Sequence, residues 1–177
     1  MRRGQRPGGA ARPPGDRVDW CDAWSYCAWA GKHLCGRIGG GPLGDTGDEN
    51  DASESEWYSA CSGMGENEYA YGDGYEIETC NAGPDTYDYD VPPAEAGSFP
   101  DCHGTEPPFD RIFDMSGNVG EWIDACDDGG GVAPYCWEAS AGSTGRMLSD
   151  CSASVFVPWY DSFWDKGFRC CADPAAP

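Results

Sequence analysis

Phe113-Asp114-Met115-Ser116-Gly117-Asn118-Val119-Gly120-Glu121-Trp122 is the stretch that decides the fold. Its apolar positions, Phe113, Met115, Val119 and Trp122, stand on either side of Ser116-Gly117-Asn118, residues that favour turns and tolerate positive φ. The pattern predicts two short strands joined by a tight turn. Asp114 and Glu121 flank that turn, and with the carbonyls between them they offer oxygen ligands to a hard cation. On local pattern alone the plainer reading is a hairpin with two solvated acids.

The chain around this stretch has the means to fold. Its 177 residues suit one domain with a proper core, and eight Trp, nine Tyr and six Phe argue against disorder. With 26 Gly and 14 Pro, a loop-rich domain with modest regular secondary structure is expected. Five of the eleven basic residues fall within the first seventeen positions, leaving six basic and 30 acidic residues from Val18 onward, a net of −24. Such a body repels phosphate, so nucleic acid and anionic membranes are poor partners for it. No run reaches the length of a transmembrane helix, so no membrane insertion is expected.

Eleven cysteines with no CxxC pair, and only His33 and His103 beside them, point away from zinc or haem and toward disulfides. Disulfides imply an extracytoplasmic or secreted location, although no apolar leader opens the chain. The odd count leaves a partner upstream or a free thiol.

Residues 1–17, rich in Arg, Gly and Pro, read as a disordered basic tail, 18–173 as the domain and 174–177 as a second tail. A helix is predicted over Trp20–Lys32, with Ala23, Trp24, Cys27 and Ala28 facing inward, Asp22 capping it or favouring its N-terminal dipole, and Gly31 ending it. His33 is expected at the surface. The glycines between Gly36 and Gly44 lack the GK[ST] of a phosphate loop, and the acids from Asp45 to Glu56 lack the EF-hand order. Ser55–Cys61 reads as a short packed helix or turn. Irregular loops follow, and a Cys80–Cys102 link across them would contribute ~3 kcal/mol on the chain-entropy model. Cys126 and Cys136 bracket an Asp/Gly-rich loop and can pair. Val155–Tyr160 alternates like a core strand.

Three blocks then carry a family resemblance. Cys21–Leu34 resembles the WxDAxAYCxWAGKRL block of the sulfatase-modifying-factor family, whose best-known member is the formylglycine-generating enzyme. Asp114–Trp122 resembles its D[ML]xGNVWEW signature, with Gly120 in place of the usual Trp, and Gly167-Phe168-Arg169-Cys170 resembles its closing GFRC. The chain is similar to a cysteine-rich bacterial branch of that family, and the family part usually ahead of the WAGK block is absent, which suggests truncation.

The resemblance implies an α+β, irregular, loop-rich fold related to C-type lectins and stapled by disulfides. It implies calcium held by Asp114, Gly117, Val119 and Glu121, and at a second place by Asn81, Ala82 and an acid among Asp85, Asp88 and Asp90. It carries over the pairs Cys27–Cys170 and Cys61–Cys151; proximity adds Cys80–Cys102 and Cys126–Cys136, with Cys21, Cys35 and Cys171 unresolved. The family's oxidation of a substrate cysteine needs copper on two thiolates, as soft Cu(I) requires. Family spacing puts those at Ala141 and Arg146, and residues 137–150 hold no cysteine. No copper is therefore expected, and the chain reads as a non-catalytic, calcium-stabilised binding or structural member with an unknown protein or glycan ligand. The alternatives are a divergent formylglycine-generating oxidase acting on a protein cysteine, an oxidase using another cysteine pair such as Cys170-Cys171, and a sugar-binding lectin.

Overall fold

The computed structural model describes residues 17–44, 48–83, 91–131, 133–140 and 149–173. Two helices and six strands are spaced along them by long irregular loops: α1 (Trp20–Trp29), β1 (His33–Leu34), α2 (Glu56–Cys61), β2 (Gly120–Cys126), β3 (Tyr135–Ala139), β4 (Ser154–Pro158), β5 (Lys166–Phe168) and β6 (Cys170–Cys171). The architecture is α+β. Four strands form one sheet in the order β4-β3-β2-β5, and β1 pairs with β6 in a second, two-stranded sheet.

The signature stretch is not a hairpin. Its second half begins β2, but the first half pairs only through one bridge, Phe113 with His103. The reason is backbone handedness: Asp114, Gly117 and Asn118 all take positive φ (60°, 94° and 68°), which coils the segment instead of extending it. β2 finds its partners elsewhere, antiparallel to β3 and parallel to β5.

β2 divides the core in two. Successive strand residues point to opposite faces, so Trp122 packs with Ala23, Cys27, Leu34 and Cys136 beneath α1, while Ile123 and Ala125 join Trp57, Cys61, Leu43 and Met115 beneath α2. Asp19, not Asp22, caps α1 by accepting from the Asp22 N–H at 2.9 Å, Asp22 lying in the first turn, and Gly31 (φ 71°) ends the helix, with the Lys32 N–H reaching back to the Cys27 carbonyl. Only Ala23 and Cys27 of α1 are buried. Trp24 and Ala28, expected inside, lie exposed, because β1 and β2 cover a narrower stripe of this helix than its apolar residues span.

Val155–Tyr160 supplies the expected strand, and Val157 and Trp159 pack against the core, but Phe156 and Tyr160 lie exposed. β4 is an edge strand, and the exposed Phe156 ring lies tilted against those of Tyr135 and Trp137.

Five disulfides tie the loops together: Cys27–Cys170, Cys35–Cys171, Cys61–Cys151, Cys80–Cys102 and Cys126–Cys136. Cys170 and Cys171, neighbours on β6, face opposite sides and packed clusters, which is how adjacent cysteines take separate partners. Cys21 remains free and exposed on α1.

Candidate functional site

The coiled segment and the start of β2 bring Asp114 and Glu121 into one electrostatic neighbourhood, and Arg169, between β5 and β6, joins them. Arg169 meets Glu121 with two nitrogens, Nε to Oε2 at 2.5 Å and Nη2 to Oε1 at 2.6 Å. Nη2 also donates to the Phe113 carbonyl, and Trp57 Nε1 donates to Oε2 of Glu121 at 2.7 Å. This is the fork geometry in which an arginine binds a carboxylate most strongly. Burial works against the Arg169 charge, but Glu121 and then Asp114 outweigh it and hold the guanidinium protonated. Asp114 accepts from the Gly97 N–H at 2.7 Å; burial nonetheless pushes its carboxyl above the usual range, beyond what that bond and Arg169 recover.

The expected calcium ligands therefore meet a resident cation. Glu121 spends Oε2 on Trp57 and Arg169 and half of Oε1 on Arg169, and the Gly117 carbonyl already accepts from the Val119 N–H. Among the described residues, what remains unspent is the outer lobe of Oε1, Oδ1 of Asp114, the Val119 carbonyl and the second lone pair of the Gly117 carbonyl. That is short of the six to eight oxygens calcium takes unless water completes the set. As the clasp stands, its oxygens serve the Arg169 guanidinium first, and a metal beside it would need water to complete its shell.

Asn81 and Ala82 lie against the same turn. The Asn81 carbonyl accepts from the Asn118 N–H, and its Nδ2 donates to Oδ1 of Asn118 at 2.9 Å and to the Pro92 carbonyl. A side chain at Gly117 would come within 2.9–3.1 Å of Asn81 and Ala82, so this glycine lets the two loops touch. Asn81 thus serves to lock the turn. Asp85, Asp88 and Asp90, the acids considered for a second cation, and Ala141 and Arg146, the positions matched to the copper thiolates, lie outside the described residues.

A second charged cluster escaped sequence reasoning. Lys166 of β5 pairs with Glu138 of β3, and both are buried; Asp161 lies 3.6 Å from the Lys166 ammonium. Burial pushes the Glu138 carboxyl up to about 7, against the pull of Lys166. The Glu138 carboxylate fills the space that a side chain at position 120 would enter: a Cβ there would come within 1.6 Å of Oε1. The glycine that breaks the signature was the available signal, since a strand glycine marks close approach by another group.

Elsewhere, His33 is half-buried opposite Cys171 and pairs with Glu56 at 2.9 Å. Cys170 and Cys171 are bonded to Cys27 and Cys35, so they are not a thiol pair. A cleft of about 550 Å³ opens beyond β4, lined by Arg17, Pro158, Tyr160, Asp161, Phe163 and Trp164.

A compact α+β scaffold of irregular loops, stapled by disulfides around a coiled GNVxEW segment, defines a class of protein related to the formylglycine-generating enzyme. The profile of the sulfatase-modifying factor enzyme 1-like domain matches residues 1–172, and the chain belongs to that family. No curated protein matches the sequence. Among solved structures, the crystal structure of CarF superposes with a TM-score of 0.56 at 18% identity, covering 88% of this chain and 66% of that one. The chain thus spans just under two thirds of the CarF chain, and at this identity the likeness shows the fold alone.

Proposed function

We propose that this chain is a non-catalytic binding member of the sulfatase-modifying-factor family, acting outside the cytoplasm. One observation carries the reading. Ten of the eleven cysteines are in disulfides and the last, Cys21, stands alone on α1. In this oxidised state no two thiolates are available to hold Cu(I), and without them the family's oxidation has neither metal nor redox partner. Five disulfides also suit an oxidising compartment, and no helix among the described residues is long and apolar enough to cross a membrane.

The cleft beyond β4 is the surface best suited to a ligand. Phe163, Tyr160 and Trp164 are well exposed around it, with Asp161 and Arg17 supplying polar contacts. Aromatic faces framed by a few polar groups accommodate the apolar faces and hydroxyls of a sugar, which makes a glycan the favoured ligand. Calcium is the subsidiary part of the reading. It would sit beside Arg169 on Oδ1 of Asp114, the Gly117 and Val119 carbonyls and the outer lobe of Glu121 Oε1, supplying positive charge to the burdened Asp114 carboxylate.

The deciding experiment incubates the oxidised protein with copper, oxygen and a peptide carrying cysteine in the sulfatase CxPxR context. Mass spectrometry is expected to find the thiol intact; copper-dependent aldehyde formation sinks the non-catalytic reading. Glycan binding lost on Trp164→Ala supports the cleft, and binding that survives the change places the ligand elsewhere. For calcium, the melting temperature should rise with the ion and fall with chelator in the native chain but not in Asp114→Ala/Glu121→Ala. An unchanged melt in the native chain removes calcium from the account.

A further inference from the structure

Where β1, β6 and the start of α2 meet, the Cys35–Cys171 disulfide lies against an acid. One Glu56 carboxylate oxygen and the two sulfurs all fall within 4.8 Å of one another, the one such grouping of three His, Cys, Asp or Glu donors among the described residues. We propose that these three side chains form a reducible zinc site, masked while the disulfide is closed.

The surroundings are built for it. Cys35 is fully buried and Cys171 half-buried, so Cys171 is the side from which an incoming thiolate would approach. Glu56 is held from two sides: the Gly36 N–H donates to Oε2 at 2.9 Å, and His33 Nε2 lies 2.9–3.0 Å from both oxygens. Oε1, whose hydrogen-bond partner among the described residues is His33, keeps a lone pair for a metal. His33 then plays the orienting part that a hydrogen-bonded neighbour plays for a metal-bound side chain.

The strand would not drift once the bond opened. Cys170, the adjacent residue, stays bonded to Cys27, and β6 stays paired with β1 in the register His33 opposite Cys171 and Leu34 opposite Cys170. The two freed sulfurs therefore remain beside Glu56. Cys27–Cys170 and Cys126–Cys136 also have one half-buried sulfur each, but neither belongs to a three-donor grouping.

The chemistry balances simply. A partner dithiol attacks the Cys171 sulfur through one thiolate, and its second thiol completes the exchange. The dithiol leaves as a disulfide and the chain gains two thiols. A divalent ion then displaces the two thiol protons and binds two thiolates and one carboxylate, with water in the fourth position. Two soft sulfurs with one hard oxygen suit Zn²⁺ better than Cu(I), which has no use for the carboxylate.

The test uses the full chain and a water-soluble phosphine, which reduces a disulfide to two thiols as it takes oxygen from water. After graded reduction, peptide mapping should find Cys35 and Cys171 alkylated first. Elemental analysis should find one zinc per chain, and Cd²⁺ in its place should give a thiolate charge-transfer band. The untreated protein should give no such band. Glu56→Gln should weaken zinc at least about tenfold and His33→Ala by about 10–100-fold. Cys35→Ser/Cys171→Ser should abolish the band. Glu56→Gln keeps all five disulfides, so it decides the matter even where the serine pair folds poorly. Zinc affinity unchanged in Glu56→Gln, or another disulfide opening first, overturns the proposal.

Discussion

Arg169 and Glu121 are 48 positions apart, yet their side chains form the most specific polar contact of the clasp. Glu121 is almost wholly buried, so the pair's main weight lies in what removing one partner would strand. Arg169→Gln should cost about 3 kcal/mol in urea unfolding, toward the low end for a buried pair because the arginine is about a quarter exposed. Adding Glu121→Gln should recover part of that loss, since the two residues act as one unit. Strictly additive losses would show that the fork carries no coupling. Glu138 gives a second test at this scale. Its folded value of about 7 lies above the ordinary 4.5, so between those values the folded chain holds a proton the unfolded chain has released. The stabilisation is complete below about pH 4.5 and is lost as pH rises through 7, about 3 kcal/mol in all. Melting temperatures at pH 5 and pH 8 should differ more in the native chain than in Glu138→Gln; equal differences would remove Glu138 as the source.

At the scale of elements, Gly120 shows why β2 can sit between β3 and β5. The strand passes close enough to Glu138 that a methyl group has no room, and Glu138 is itself fixed by Lys166. Gly120→Ala should therefore destabilise by about 1–3 kcal/mol through overpacking. In the background of Glu138→Ala, which empties the space, the same change should cost much less. Similar costs in both backgrounds would place the penalty in the backbone. This pair also marks the limit of what could be read beforehand. The blocks around Trp24, Asn118 and Arg169 identify the family and the α+β fold because most of their motif positions are kept in the chain, Gly120 being a departure. The partner of each charge was not legible, since Glu138–Lys166 and Glu121–Arg169 are set by the register of β2 against β3 and β5. That register depends on tertiary packing. The coiling of Asp114–Asn118 was missed for a related reason: turn residues at three of five positions fit a hairpin and a coil alike.

For the whole molecule, regular structure is sparse and the cross-links span very different lengths of chain. Cys27–Cys170 and Cys35–Cys171 join residues 143 and 136 apart, tying the first helix and strand to the last strand. Cys61–Cys151 joins residues 90 apart, and Cys126–Cys136 only 10. If the bridges act chiefly by restricting the unfolded chain, their weight follows loop length, and the last two should differ by about 2 kcal/mol. A chain carrying −20 overall adds self-repulsion that such restraints must resist. Replacing Cys61 and Cys151 together by alanine should lower unfolding free energy by about 2 kcal/mol more than replacing Cys126 and Cys136 together. Salt should raise the stability of both variants by screening the acidic surface. Urea unfolding at matched salt measures both effects. Equal losses for the two pairs would mean that the bridges stabilise through contacts in the folded state, and that loop length is not what the five disulfides supply.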